Sequence, residues 1–184
     1  MRYACLTMGK LEEPRQFLIR TPFFGGLDGA ALDLVIGMLV ERNYTADATI
    51  FTEGEEGRSM YIVRSGTLVK MQRGESGFPV KLMRFHEGDF FGETTLIEMQ
   101  PRQFSVVAET TVSLYELTNM GLYQLYQRNV EAYVMVLQNI NRELCRRLRK
   151  ADERITAYAE EHNEEGTQIR TGVGKIRRRE PRDF

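Results

Sequence analysis

Histidine, cysteine, net charge and long apolar runs are all scarce in this chain of 184 residues. Only two histidines occur, His86 and His162, which speaks against a histidine-rich metal enzyme. The two cysteines, Cys5 and Cys145, stand too far apart for a disulfide framework and read as reduced thiols of a cytoplasmic protein. With 25 Lys and Arg against 26 Asp and Glu the net charge is −1, so no overall field selects nucleic acid, and a nucleic-acid partner is not expected. The longest apolar run, Leu34 to Val40, is broken by Gly37 and too short to span a bilayer. The first residues, MRYACLTMGKLEEPR, lack an apolar signal core, so neither export nor a membrane location is expected. What remains is an ordinary balance of 42% hydrophobic and 28% charged residues, enough for one core with extensions.

The apolar pattern changes period twice. Residues 1–20 are weakly periodic and read as an arm or a short helix. After Gly25-Gly26, Leu32, Val35, Ile36, Leu39 and Val40 recur at helical spacing, with Asp28 as the N-cap. From Tyr44 to Leu117 short runs rich in Ile, Val, Phe, Tyr and Thr alternate with turns such as Glu53-Gly54, Glu56-Gly57, Ser65-Gly66 and Glu87-Gly88-Asp89. Strands this short and this regularly spaced predict a barrel or sandwich, and closure removes their edges. From Met120 the helical period returns. Leu122, Leu125 and Tyr126 mark a short helix, and a long one over about 129–160 carries Val130, Tyr133, Leu137, Ile140, Leu144, Leu148, Ala151 and Ile155. A helix of about 30 residues reaches ~45 Å, longer than a small barrel is wide. Its stripe either folds back onto the barrel or meets a twin helix in a homodimer, the simpler way to cover its far end. The predicted domain therefore covers 21–160. The tail, 161–184, loses the apolar period, and between Gly166 and Phe184 it holds six Lys or Arg against two acids, which reads as a solvated, disordered end.

The stretch that carries chemistry is Phe90-Phe91-Gly92-Glu93-Thr94-Thr95-Leu96, followed by Pro101-Arg102-Gln103-Phe104. A glycine, an acid and two small residues after a strand predict one helical turn whose free N–H groups favour an anion. Arg102 follows Glu93 by nine residues, where β structure is expected to resume. A guanidinium and N–H donors suit a phosphate diester, and the acid suits sugar hydroxyls rather than the phosphate. On spacing alone, an ordinary structural ion pair between Glu93 and Arg102 is the commoner outcome.

Taken together, Pro22-Phe23-Phe24, Thr49-Ile50-Phe51 with Glu53-Gly54, Tyr61-Ile62-Val63-Arg64-Ser65-Gly66, Gly88-Asp89-Phe90-Phe91-Gly92-Glu93 and Pro101-Arg102 resemble the cyclic nucleotide-binding domain family. The resemblance runs from about Phe23 to Ile155. The interval from Glu93 to Arg102 is similar to that of cAMP-dependent kinase regulatory subunits, and the long helix resembles the dimer helix of catabolite activators. It implies a mainly β fold, a β-roll or jelly roll with flanking helices and a long C-terminal helix. It further implies that Gly92, Glu93, Thr94 and Thr95 open a phosphate cassette. Glu93 would accept from the ribose 2′-hydroxyl, while Arg102 and the backbone of Thr95 would hold the cyclic phosphate. Leu82 and Phe91 match apolar positions lining the pocket, and Asp152 falls where relatives contact the base. Where the family carries small residues after the arginine, this chain has Gln103 and Phe104. The Gln103 amide is able to replace a hydroxyl donor, whereas Phe104 either narrows the pocket or turns into the core.

The ligand so implied is a cyclic nucleotide, with cAMP first and cGMP or a cyclic dinucleotide unresolved, and no cofactor or metal is called for. A stand-alone sensor that signals to an effector protein fits best, because too few residues follow the long helix for the DNA-binding module of transcriptional relatives. The alternative is a degenerate domain that binds no nucleotide and serves as an interaction scaffold. Catalysis is not expected: a barrel enzyme needs several converging metal ligands, and Cys145, on the apolar stripe with no base nearby, reads as packing.

Overall fold

The computed structural model describes residues 12–163, so the expectations for the first eleven residues and for the tail beyond 163 lie outside the described residues. The elements run α1 (Glu12–Ile19), a 3-10 turn (Pro22–Phe24), α2 (Gly29–Ile36), β1 (Val40–Tyr44), β2 (Thr49–Phe51), β3 (Ser59–Ser65), β4 (Leu68–Arg73), β5 (Pro79–Phe85), β6 (Phe90–Phe91), α3 (Glu93–Glu98), β7 (Ser105–Ala108), β8 (Val112–Thr118), α4 (Asn119–Arg128) and α5 (Val130–Asn163). The strands form two four-stranded antiparallel sheets, ordered β1-β8-β3-β6 and β2-β7-β4-β5. This is the β-roll with flanking helices and a long C-terminal helix that the sequence predicts.

Strand β3 shows why the roll needs both sheets and helices. Residues Ser59 to Val63 are buried without interruption, so both faces of the strand are covered. Tyr61 and Val63 enter one cluster with Phe51, Leu68, Phe91, Val106 and Leu114. Met60 and Ile62, on the opposite face, join a second cluster with Phe23, Val35, Leu117, Leu125, Val136 and Ile140 from the helices. The pairing of Ile62 with Tyr115 and of Val63 with Leu114 keeps the alternation in phase across β8. A one-residue slip would send one whole set to the wrong cluster.

The helix expected over Leu32 to Val40 is shorter than its period suggests. Asp28 caps α2 as predicted, its Oδ1 accepting from the Ala31 N–H at 2.7 Å, but the helix stops at Ile36. Gly37 closes it by donating to the Asp33 carbonyl at 3.0 Å, and Val40 starts β1 opposite Glu116. Strand pairing overrides the local helical period here.

Helix α5 corrects the sequence reading in two ways. The residues that it buries are Ala132, Val136 and Ile140, together with the polar Asn139 and Glu143. Of the predicted stripe, Tyr133, Leu137 and Leu144 are only partly buried, and Val130 is 53% exposed. A small alanine and two polar residues hide this face from a count of large apolar side chains. Cys145, expected to be a packing residue, is exposed. Leu148, Ile155 and Tyr158 beyond it are 63%, 65% and 63% exposed. The molecule divides into two compact units at Leu144/Cys145, and the packing contacts of α5 belong to the first.

Asn139 ties α5 to the start of the fold. Its Nδ2 donates to the carbonyls of Phe23, at 2.9 Å, and Gly25, at 2.8 Å, while its Oδ1 accepts from Arg142 at 2.7 Å. Replacing Asn139 with Ala leaves two carbonyls without this donor. We expect a loss of about 2 kcal/mol of unfolding free energy, read from urea denaturation.

Candidate functional site

Strand β6 delivers the chain to α3 through one left-handed residue. Gly92, the N-cap of α3, has φ of 81°. An ideal Cβ there would stand 2.7 Å from Nη1 of Arg102 and 3.3 Å from the Ser59 carbonyl oxygen. Both the backbone and the space around it call for glycine. Glu93 follows as the first helical residue and is 3% exposed. A carboxylate at that position lies in the favourable field of the helix N-terminus. Thr95, also 3% exposed, is the third residue of α3. Its N–H is one of the four that a helix start leaves without an intrahelical partner.

Arg102 reaches this turn from outside any strand. The sequence placed it where β structure resumes, yet β7 begins only at Ser105. What fixes it is a two-way bridge to the loop between β2 and β3. Its N–H donates to the Glu55 carbonyl at 2.8 Å, and its carbonyl accepts from the Gly54 N–H at 2.8 Å. From that anchor the side chain runs inward to 5% exposure. Nη1 donates to the Gly92 carbonyl and to Oγ1 of Thr95, both at 3.2 Å, and Nη2 donates to the Ser59 carbonyl at 2.7 Å. Burial pushes the guanidinium below its ordinary pKa, and the negative charges of Glu55, Glu116 and Glu93 oppose that shift. Arginine stays charged through such shifts, so the site holds a desolvated cation.

The structure thus brings Phe91, Gly92, Glu93, Thr94, Thr95 and Arg102 into one cassette. Thr94 is partly exposed beside its buried neighbours. Phe91 is wholly buried, stacked on Tyr61 and Phe85 with centroids 5.4 and 4.8 Å apart. Three predicted residues lie elsewhere. Gln103 turns to the surface, where its amide donates to Glu98 at 3.3 Å. Leu82 is 42% exposed on the edge strand β5, at the residue skipped where β4 pairing passes from Met83 to Lys81. Asp152 is exposed on α5, beyond Leu144. Phe104, the residue that departs from the family pattern, is 8% exposed and joins the cluster between the sheets.

Three contributors escaped the sequence reading. Ser59 acts through its carbonyl oxygen, which no side-chain pattern reveals. Phe51 lies under the guanidinium, with Cζ of Arg102 4.0 Å from its ring centroid. Gly57 comes so close that a Cβ would stand 2.5 Å from Nε of Arg102. The only available signal was the Glu56-Gly57 turn, which any loop would equally explain. Among the described residues, no group of three or more His, Cys, Asp or Glu is placed to hold a metal ion. No helix among them is long and apolar enough to cross a membrane.

A β-roll whose short helix starts on a left-handed glycine, with a buried acid and a buried arginine, defines a class of ligand-binding module. Comparison with known proteins agrees: residues 41–129 match the family described as cyclic nucleotide-binding domain. The cAMP-dependent protein kinase regulatory subunit of Aspergillus niger is 33% identical over 109 residues, 59% of this chain and 26% of that protein. Among solved structures, the Thermus thermophilus catabolite activator protein superposes with a TM-score of 0.67 at 29% identity, over 76% of this chain and 63% of that one. The regulatory subunit of a cAMP-independent protein kinase A from Trypanosoma cruzi, bound to guanosine, gives 0.60 at 29% identity, over 74% and 49%. The chain spans less than two thirds of the length of each of these relatives.

Substituting Gly92 by Ala combines a left-handed backbone with a collision against Arg102. Gly54, at φ of 86° with nothing within 4 Å of an added Cβ, isolates the backbone share. Gly54→Ala should cost about 1–2 kcal/mol. Gly92→Ala should cost clearly more, the difference in urea midpoints reporting the packing against the guanidinium.

Proposed function

We propose that this chain is a cyclic-nucleotide sensor, with cAMP its first ligand, that passes its ligand state to an effector protein. It acts in the cytoplasm as a regulatory module without catalysis of its own. The observation that carries the reading is the desolvated Arg102 guanidinium beside the N-terminus of α3, with Glu93 buried at the first position of that helix. A phosphate diester answers both positive features. Arg102 supplies the charge, and the N–H of Thr95 supplies a donor on the helix axis. The Glu93 carboxylate repels phosphate and accepts from the ribose 2′-hydroxyl instead. Leu82 is assigned to the apolar lining of the pocket.

A calorimetric titration of cAMP, with cGMP and guanosine in comparison, tests this on protein stripped of co-purified nucleotide. We expect saturable binding of cAMP at one site per chain. Glu93→Ala and Arg102→Ala should each weaken it at least tenfold, about 1.4 kcal/mol or more. Unchanged affinity in both folded variants would remove the site.

The second reading, a scaffold that binds no nucleotide, draws on one observation. The guanidinium already has three acceptors inside the protein: Gly92, Thr95 and Ser59. No heat and no thermal stabilisation at millimolar cAMP or cGMP would favour that reading.

The exposed Leu148 and Ile155 support a homodimer through α5, since a second copy would bury their apolar area. Changing Leu148 and Ile155 together to Glu should convert a dimer into a monomer in sedimentation experiments. A wild-type chain that is monomeric at high concentration would end this proposal.

A further inference from the structure

The hydrogen bonds of Arg102 leave its two flat faces unexplained. One face lies over the Phe51 ring, with Cζ 4.0 Å from the centroid. Gly57 also approaches so closely that a Cβ would stand 2.5 Å from Nε and 2.7 Å from Cζ. The guanidinium is therefore confined to a slot lined by an aromatic ring and a bare stretch of backbone. Phe51 in turn is wedged among aromatics, its centroid 6.1 Å from that of Tyr61, 5.9 Å from Phe91 and 5.8 Å from Phe104. Nζ of Lys70 sits 4.1 Å from the Phe104 centroid. The order is cation, ring, ring, cation, which suits rings whose faces are negative and whose edges are positive.

This arrangement gives Phe104 a purpose that a small residue at its position would not serve. We infer that Phe51, backed by Phe104, is a positioning residue of the binding site, whose ring fixes the plane of the Arg102 guanidinium and so aims the donors not taken by Gly92, Thr95 and Ser59 at the phosphate. The inference rests on the proposed function for its ligand but not for the slot itself. A leucine at 51 would fill much of the space without a charged-ring attraction. The guanidinium would then be free to tilt within its remaining hydrogen bonds.

The test uses the whole chain in wild-type, Phe51→Leu and Arg102→Ala forms, and in the double variant. In the absence of nucleotide, the side-chain Nε–H resonance of Arg102, assigned by its loss in Arg102→Ala, reports the ring directly. It should lie upfield in the wild type and move downfield in Phe51→Leu. The same substitution should weaken cAMP binding about five- to tenfold, the range of a desolvated cation–π contact. In the Arg102→Ala background it should change affinity little further. An unmoved resonance, or an equal loss of affinity with and without Arg102, would overturn the inference. If the wild type takes up no cAMP, the proposed function falls and the resonance alone decides the slot. Should Phe51→Leu fail to fold, Phe104→Leu replaces it, with a smaller downfield shift expected and no shift counting against the idea.

Discussion

A guanidinium taken out of water has to be compensated from every direction, and the architecture around the site follows from that demand. Its desolvation is unfavourable by several kcal/mol unless hydrogen bonds and nearby negative charge replace the lost solvent. Here the replacements come from separate parts of the fold. The Gly92 carbonyl lies at the N-cap of α3, the Thr95 hydroxyl within that helix, the Ser59 carbonyl opens β3 and the Phe51 ring ends β2. The main chain of Arg102 is pinned in addition to the loop between β2 and β3. One side chain thus joins both sheets and the short helix, so any ligand that draws on Arg102 acts on all of them at once.

The same loop shows how binding and folding requirements converge. Gly57 has to be bare because the guanidinium lies against it, and Gly92 has to be bare and left-handed for β6 to turn into α3. Neither glycine contributes a side chain, although the Gly92 carbonyl accepts from Arg102. Each makes room for the cation, and the acid at position 93 is thereby placed at the start of a helix that favours it.

The relatives frame what this module is suited to. They include regulatory subunits of cAMP-dependent kinases, a catabolite activator and a guanosine-bound regulatory subunit of a cAMP-independent kinase. The fold therefore does not by itself select one ligand or one effector. Among the side chains of this chain, the pair Gln103-Phe104 stands where the family it resembles carries small residues. One turns outward to Glu98, and the other turns inward to the aromatic group beneath Arg102.

The β-roll, the cassette Gly92 to Thr95 with Arg102, and the cap at Asp28 were legible because each rests on local pattern: period, turn chemistry and short-range spacing. Tertiary structure decided the rest, because the deciding contacts join residues far apart in sequence or use backbone atoms without a side-chain signature. Strand pairing between Val40 and Glu116 ended α2 early. Packing chose Ala132, Val136 and Asn139 over the larger apolar residues of α5, since a close approach favours a small residue and a buried carbonyl favours an amide. The Ser59 carbonyl, the Phe51 ring and the inward turn of Phe104 became visible only once β2, β3 and the chain entering β7 met around one buried charge. Sequence alone named the cation and the acid, and the three-dimensional fold determined what holds the cation in place.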